Sequence, residues 1–289
     1  MSQRVALITD STCDLPAELL QQYEVAVVPS FVVWGSDVLA DRVDLQPEEF
    51  YRRLTTDRAY PTTAHPAPAD FGRLYEVAQR QGAEGVVVIT VSSAMSGTHD
   101  AAQQAAAKAP LPVHVVDSRG PTMTVGWQVL AAARAREAGG DAQAMIAAAD
   151  RVRRGLVQIV YLDTLDYLHK GGRIGGAAHL IGTLLNIKLL VHINHETGLV
   201  EPEGRARTRK SGIEQLYQAF FRQLDTSRPL HIAVLHGNCR PDAEALAERI
   251  RQEYRPQELL ISVTGPVLGV HTGPGALALC GYSEPLTES

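Results

Sequence analysis

Short β-rich runs alternate with helix-periodic segments through the first half of this chain, and no other feature constrains its fold as tightly. Residues 5–9, 85–91 and 113–116 read as strands, with 25–33 as a further apolar run. Segments 71–81 and 97–108 between them carry helical spacing, 47–54 is a shorter helix, and 127–137 follows the last strand. Residues 11–14 with Pro16 open a helix through Leu19, Leu20 and Tyr23. Strand–helix alternation at this spacing predicts a parallel sheet covered by helices.

The texture changes after Arg154. Residues 156–162 predict a strand, 164–170 a helix, 171–176 a flexible glycine joint and 177–184 a helix. Strands at 189–193 and 199–202 flank the turn Glu196-Thr197-Gly198, and a helix at 211–224, a strand at 231–235 and a helix at 242–254 follow. A second α/β domain beginning near residue 157 is expected, giving domains 1–156 and 157–289.

Composition excludes several function classes. With 289 residues, 45% hydrophobic and 20% charged, the chain suits a soluble globular protein of one or two domains. A net charge of −5 lacks the cationic excess of a general nucleic-acid binder. The apolar run at 5–8 is too short for a secretory signal, and nothing approaches the roughly 20 apolar residues of a membrane span. Cys13, Cys239 and Cys280 are widely spaced and odd in number, as free thiols in a reducing cytoplasm would be.

Four loop segments carry polar groups where open α/β sheets place ligands. Asp10-Ser11-Thr12 reads as a helix cap or as ligand hydroxyls. Pro61-Thr62-Thr63-Ala64-His65-Pro66 is either a turn or a pair of hydroxyls for an anion. Ser92-Ser93-Ala94-Met95-Ser96-Gly97-Thr98, after a strand, can cap the next helix or cradle an anion at its N-terminus. His271-Thr272-Gly273-Pro274-Gly275 lies between two apolar runs, and a helix starting at Ala276 would turn its N–H groups toward an anion. Gly171-Gly172-Arg173 and the basic run Arg205 to Lys210 are solvated surface or contacts for a phosphorylated or acidic partner.

The familiar catalytic signatures do not occur. There is no Walker-type loop, no Gly-x-Gly-x-x-Gly after the first strand, no Gly-x-Ser-x-Gly elbow and no His-Glu-x-x-His or paired-cysteine zinc motif.

In combination these segments resemble the DegV family of bacterial fatty-acid-binding proteins. The resemblance is carried by Asp10-Ser11-Thr12-Cys13-Asp14-Leu15-Pro16, the Ser92 to Thr98 segment, Asp117-Ser118, Gly171-Gly172-Arg173-Ile174, Leu185-Asn186-Ile187-Lys188, Arg207-Thr208-Arg209-Lys210 and the His271 to Gly275 segment. They occur in family order over nearly the whole chain. The resemblance implies two α/β domains, a parallel-sheet N-terminal one and a C-terminal one, with a long-chain fatty acid in a tunnel between them. It further implies the acyl-carrying subunit of a fatty acid kinase, which presents the carboxylate to a separate ATP-binding subunit. On that basis Thr63, Ser93 and His271 are carboxylate-binding positions, supported by Thr62, Ser92, Ser96, Gly97, Thr272 and Gly273. Arg173 and Arg207 match arginines of the kinase interaction or phosphoryl transfer. No catalytic residue, metal or cofactor is expected beyond the bound acid, and the protein is expected to be a cytoplasmic monomer. The chain departs from the family's Thr-Ser-Gln-Pro-Ser loop with Thr63-Ala64-His65-Pro66-Ala67, and Leu189 replaces the proline after the Ile-Lys pair.

An acyl chain of about 14 methylenes gains up to roughly 11 kcal/mol at ~0.8 kcal/mol per buried CH2, less the costs of binding. An ionised carboxylate is already a nucleophile toward phosphorus, so positioning and charge neutralisation are what the protein must supply. The rival expectations are an acyl-transferring or hydrolytic enzyme using Ser93 and His271, and a lipid-sensing regulatory protein.

Overall fold

The periodicity of the first half is realised as a parallel sheet. In a computed structural model, which describes residues 4–180 and 188–284, the strands run in the order Val25–Val28, Val5–Asp10, Gly85–Thr90, Val113–Asp117, all parallel. Gly85–Thr90 is buried along its whole length, which explains its unbroken Val-Val-Val-Ile run: a strand covered on both faces needs no polar alternation. One face packs Ile8, Val86 and Val88 against Phe71 and Tyr75 of the helix Pro68–Arg80 and against Ala101 and Ala102 of Thr98–Ala106. The helix Met123–Glu137 is buried almost throughout, with Trp127 fully enclosed.

A second sheet has six strands in the order Leu199–Ala206, Lys188–Asn194, Val157–Leu162, Leu277–Ser283, Leu230–His236, Glu258–Val263. Neighbours are antiparallel except the last pair, whose parallel crossover is the helix Arg240–Tyr254. Its core gathers Ile159, Tyr161, Phe220, Ile232, Val234, Leu246 and Leu279. A three-stranded sheet joins Asp37–Ala40, Phe31–Trp34 and Thr62–Ala64 in that order.

These elements form two compact units that follow the chain less simply than one cut at 156/157. The first comprises Met1–Phe31, Ala64–Arg154 and His195–Gly198; the second comprises Val32–Thr63, Gly155–Asn194 and Leu199–Ser289. The reason lies in packing. Val32, Trp34, Leu45, Phe50 and Tyr51 share a core with Val267 and Val270, far away in sequence.

Several expectations change. The apolar run 25–33 is two strands in different sheets, interrupted at Pro29-Ser30, where proline donates nothing to a ladder and Ser30 N donates instead to Ser11 Oγ at 3.1 Å. The helix expected from Ala276 is the strand Leu277–Ser283, flanked on both sides by other strands; a fully buried run loses the alternation that would mark it. The residues before it form the helix Pro266–Thr272, so His271 and Thr272 close a helix rather than precede one. The helix Ala142–Gly155 and the strands Asp37–Ala40 and Glu258–Val263 were not legible beforehand. Residues 175–180 form a 3-10 turn, while 181–184 of the expected helix, and Leu185-Asn186-Ile187, lie outside the described residues.

Candidate functional site

Thr63 and His271, 208 residues apart, meet in the second unit with Thr63 Oγ1 3.1 Å from His271 Nε2. Thr63 lies on the short strand Thr62–Ala64 and His271 in the last turn of Pro266–Thr272. Tyr60 steadies that helix by donating its hydroxyl to Val270 O at 2.7 Å. Thr272 Oγ1 donates back to Leu268 O at 3.3 Å.

The other edge of the imidazole faces Gly171, where a Cβ would lie 2.1 Å from Nδ1, and Nδ1 has no hydrogen-bond partner. With the neutral ring's proton on Nε2, that nitrogen donates to Thr63 Oγ1 and the unpartnered Nδ1 carries no hydrogen in need of an acceptor. The hydroxyl proton of Thr63 is then free for an anion. Burial pushes His271 down to about 4, and the positive charge of Arg173 adds to the effect, so the ring is neutral at ordinary pH.

The corner after His271 is held by close contacts. Gly273 (φ 72°) packs on Tyr167, where a Cβ would come within 2.2 Å of Cδ2. Gly275 (φ 80°) would clash at 2.4 Å with Asp163 Oδ2, and Arg209 Nη1 donates to both Gly275 O and Asp163 Oδ2 at 2.7 Å. Arg209 reaches Asp242 as well, and Lys188 Nζ pairs with Asp163 at 3.1 Å. These two glycines therefore serve the packing of their own corner.

Ser93 belongs to the first unit, on the loop after Gly85–Thr90. Buried Asp10 shapes that loop by accepting from Val91 N at 2.8 Å and from Thr12 N at 2.9 Å. Burial pushes the Asp10 carboxyl up against these bonds, which pull it down. Asp10-Ser11-Thr12 is thus a scaffold for the serine loop. Ser93 is exposed, and its Oγ donates to Asp117 Oδ2 at 2.6 Å. Ser96 Oγ and Thr98 Oγ1 bond each other at 2.8 Å. Gly97 precedes the helix Thr98–Ala106, whose first N–H, that of Thr98, donates to Ser96 Oγ at 3.3 Å. His65 covers Gly97, where a Cβ would lie 2.8 Å from Nε2, and its Nδ1 donates to Pro66 O at 2.9 Å.

A family model described as "Uncharacterised protein, DegV family" matches residues 4–284. The chain belongs to the DegV family. It is 38% identical over 280 residues to a DegV domain-containing protein of Streptomyces coelicolor, covering 96% of this chain and 98% of that one. Among solved structures, a Thermus thermophilus DegV family protein described as fatty-acid binding superposes with a TM-score of 0.91 at 34% identity, covering 98% and 100% of the two chains. DegV of Bacillus subtilis, described as a fatty acid binding protein, gives a TM-score of 0.90 at 28% identity over 98% and 100%. The fold is that of DegV proteins.

The remaining family motifs sort by what they touch. Ser92 is buried and its Oγ donates to Gly198 O at 2.8 Å, so this hydroxyl holds backbone. Thr62 is exposed on its strand. Arg173, also exposed, donates to Gly171 O at 2.8 Å on the turn that closes the helix Asp166–Lys170. Arg207 is exposed after Leu199–Ala206, and among the described residues it makes no ion pair, whereas Arg209 of the same basic run is tied into the corner network. Ser93 Oγ is bonded to Asp117 and His271 Nε2 to Thr63. Asp117, part of a motif but with no expected role, emerges as the partner of Ser93; its register opposite Thr90 is the signal that periodicity alone could not supply. Among the described residues no His, Cys, Asp or Glu group is placed to hold a metal, and no helix is long and apolar enough to cross a membrane.

Proposed function

We propose that this DegV protein binds a long-chain fatty acid, with Thr63, Ser93 and His271 taking its carboxyl group, and presents that group to a separate ATP-binding kinase subunit. The observation that carries the reading is the Thr63–His271 pair: a hydroxyl 3.1 Å from the Nε2 of a neutral imidazole, which as donor leaves the hydroxyl proton of Thr63 to an anion. A hydrogen bond to a charged group contributes about 1.5–3 kcal/mol, so the hydroxyls set the register of the acid while the buried tail supplies most of the affinity. Fatty-acid binding by the Thermus thermophilus and Bacillus subtilis relatives supports the ligand class. The exposed arginines Arg173 and Arg207 suit an anionic partner site, and the phosphoryl donor comes from the partner. Denaturing mass spectrometry of the purified chain, with added fatty acid as competitor, is expected to find a displaceable acid; finding neither a co-purified acid nor saturable uptake refutes the binding. Capture of an ATP-binding subunit, weakened in Arg207→Ala, is expected for the presentation step, and undiminished capture would remove Arg207 from it.

A further inference from the structure

Ser93 carries a single hydroxyl proton, and it points at Asp117. Ser93 Oγ donates to Asp117 Oδ2 at 2.6 Å and Ser93 N to Oδ1 at 3.2 Å. The sheet register creates this contact: Asp117, the last residue of its strand, pairs with Thr90, and the serine loop begins just beyond. Arg119 N donates to Oδ1 at 2.9 Å, and Arg119 Nε lies 3.5 Å from Oδ2. A charge-assisted O–H···O bond is roughly twice as strong as a neutral one. With its proton so committed, exposed Ser93 offers lone pairs and acts as an acceptor.

A fatty carboxylate brought to that oxygen meets no donor and sets a second carboxylate on the far side of one hydroxyl. Two carboxylates sharing a site resist ionising together, so the last proton of such a pair is held to a higher pH than either group alone would hold it. Resting on the fatty-acid reading above, we propose that Asp117 sets the protonation state of the bound acid, the two holding one extra proton between them across Ser93. With the proton on the acid, its O–H donates to Ser93 Oγ and Ser93 donates to Asp117. Passing the acid's proton to Ser93 and the serine's proton to Asp117 leaves a fatty carboxylate, bonded to Ser93, and a neutral Asp117. Each O–H bond broken is matched by one formed. Asp117 is thus a positioning residue for the head group and a store for the proton when the carboxylate must act as a nucleophile. Arg119 is the charged side chain that pairs with Asp117, and at 3.5 Å with 45% exposure it tempers the repulsion without removing it.

The test is proton uptake on binding, read from the buffer dependence of the binding enthalpy as dodecanoate is titrated into the full chain at about pH 6, where the free acid is largely ionised. Wild type is expected to take up a measurable fraction of a proton per dodecanoate, and Asp117→Asn close to none. The preference for dodecanoate over dodecylsulfonate, which cannot accept that proton, is expected to fall about tenfold or more in Asp117→Asn. Uptake near zero in wild type, or equal uptake in Asp117→Asn, overturns the role of Asp117 while leaving fatty-acid binding intact. Failure of dodecanoate to bind wild type at all overturns the fatty-acid reading with it.

Discussion

At Thr63 and His271 the chemistry depends on a proton that each residue alone leaves undirected. Threonine and histidine can both donate or accept; a proton on Nε2 makes the ring the donor and leaves the unpartnered Nδ1 bare. Thr63→Val keeps the β-branched shape on its strand but removes the donor; fatty-acid affinity measured by competition is expected to fall about tenfold, the equivalent of ~1.4 kcal/mol. Thermal stability should hardly move, because the side chain is only partly buried. The imidazole has a pH signature of its own. Its folded value is depressed from 6.5 to about 4, so the stability it contributes is complete above 6.5 and is lost as pH falls toward 4. Urea midpoints followed from pH 7 down to about 4 are expected to drop less in His271→Asn than in wild type, by about 2–3 kcal/mol across the window. Equal slopes in the two proteins would show that His271 is not enclosed.

Where the strand Leu277–Ser283 meets the helix Pro266–Thr272, position is governed by a charged element rather than by the glycines alone. Arg209, at the start of the helix Arg209–Phe221, binds Gly275 O, Asp163 and Asp242. Burial pushes the Asp163 carboxyl up, but the Tyr161 hydroxyl, Lys188 and the Arg209 charge outweigh it and hold Asp163 below the usual carboxylate range. Arg209→Gln removes the charge and leaves Asp163 and Asp242 facing each other's side of the gap. A loss of about 1–2 kcal/mol is expected by denaturant unfolding, discounted from fully buried pairs because these side chains stay partly exposed. Fatty-acid affinity should fall with it as the corner behind His271 loosens. Arg207→Ala, two residues earlier, should leave stability unchanged. The basic run Arg205 to Lys210 looks uniform in the sequence, and only the packing separates a structural arginine from a solvent-facing one.

For the whole molecule, the exchange of chain segments between units has a direct consequence. A fragment of residues 157–289 lacks Val32, Trp34, Phe50 and Tyr51, against which Val267 and Val270 pack. Expressed alone, it is expected to leave the Pro266–Thr272 helix unprotected in amide exchange, whereas the full chain protects it; protection in the fragment would show that this core is dispensable. The local reading captured the parallel sheet, most helices and the hydroxyl and His-Thr-Gly motifs, because each depends on spacing within a few residues. Local spacing could not choose strand over helix at 276–280, where burial on both sides erases the period. Nor could it divide the apolar run 25–33 between two sheets or join Val32–Thr63 to the second unit. The sequence by itself determined the class of fold and the family. Tertiary structure alone decided that His271 pairs with Thr63, that Ser93 donates to Asp117 and that Ser92 and Arg209 support backbone. Those outcomes depend on which donors and acceptors distant segments bring within hydrogen-bond reach, and neighbours in the chain do not specify that.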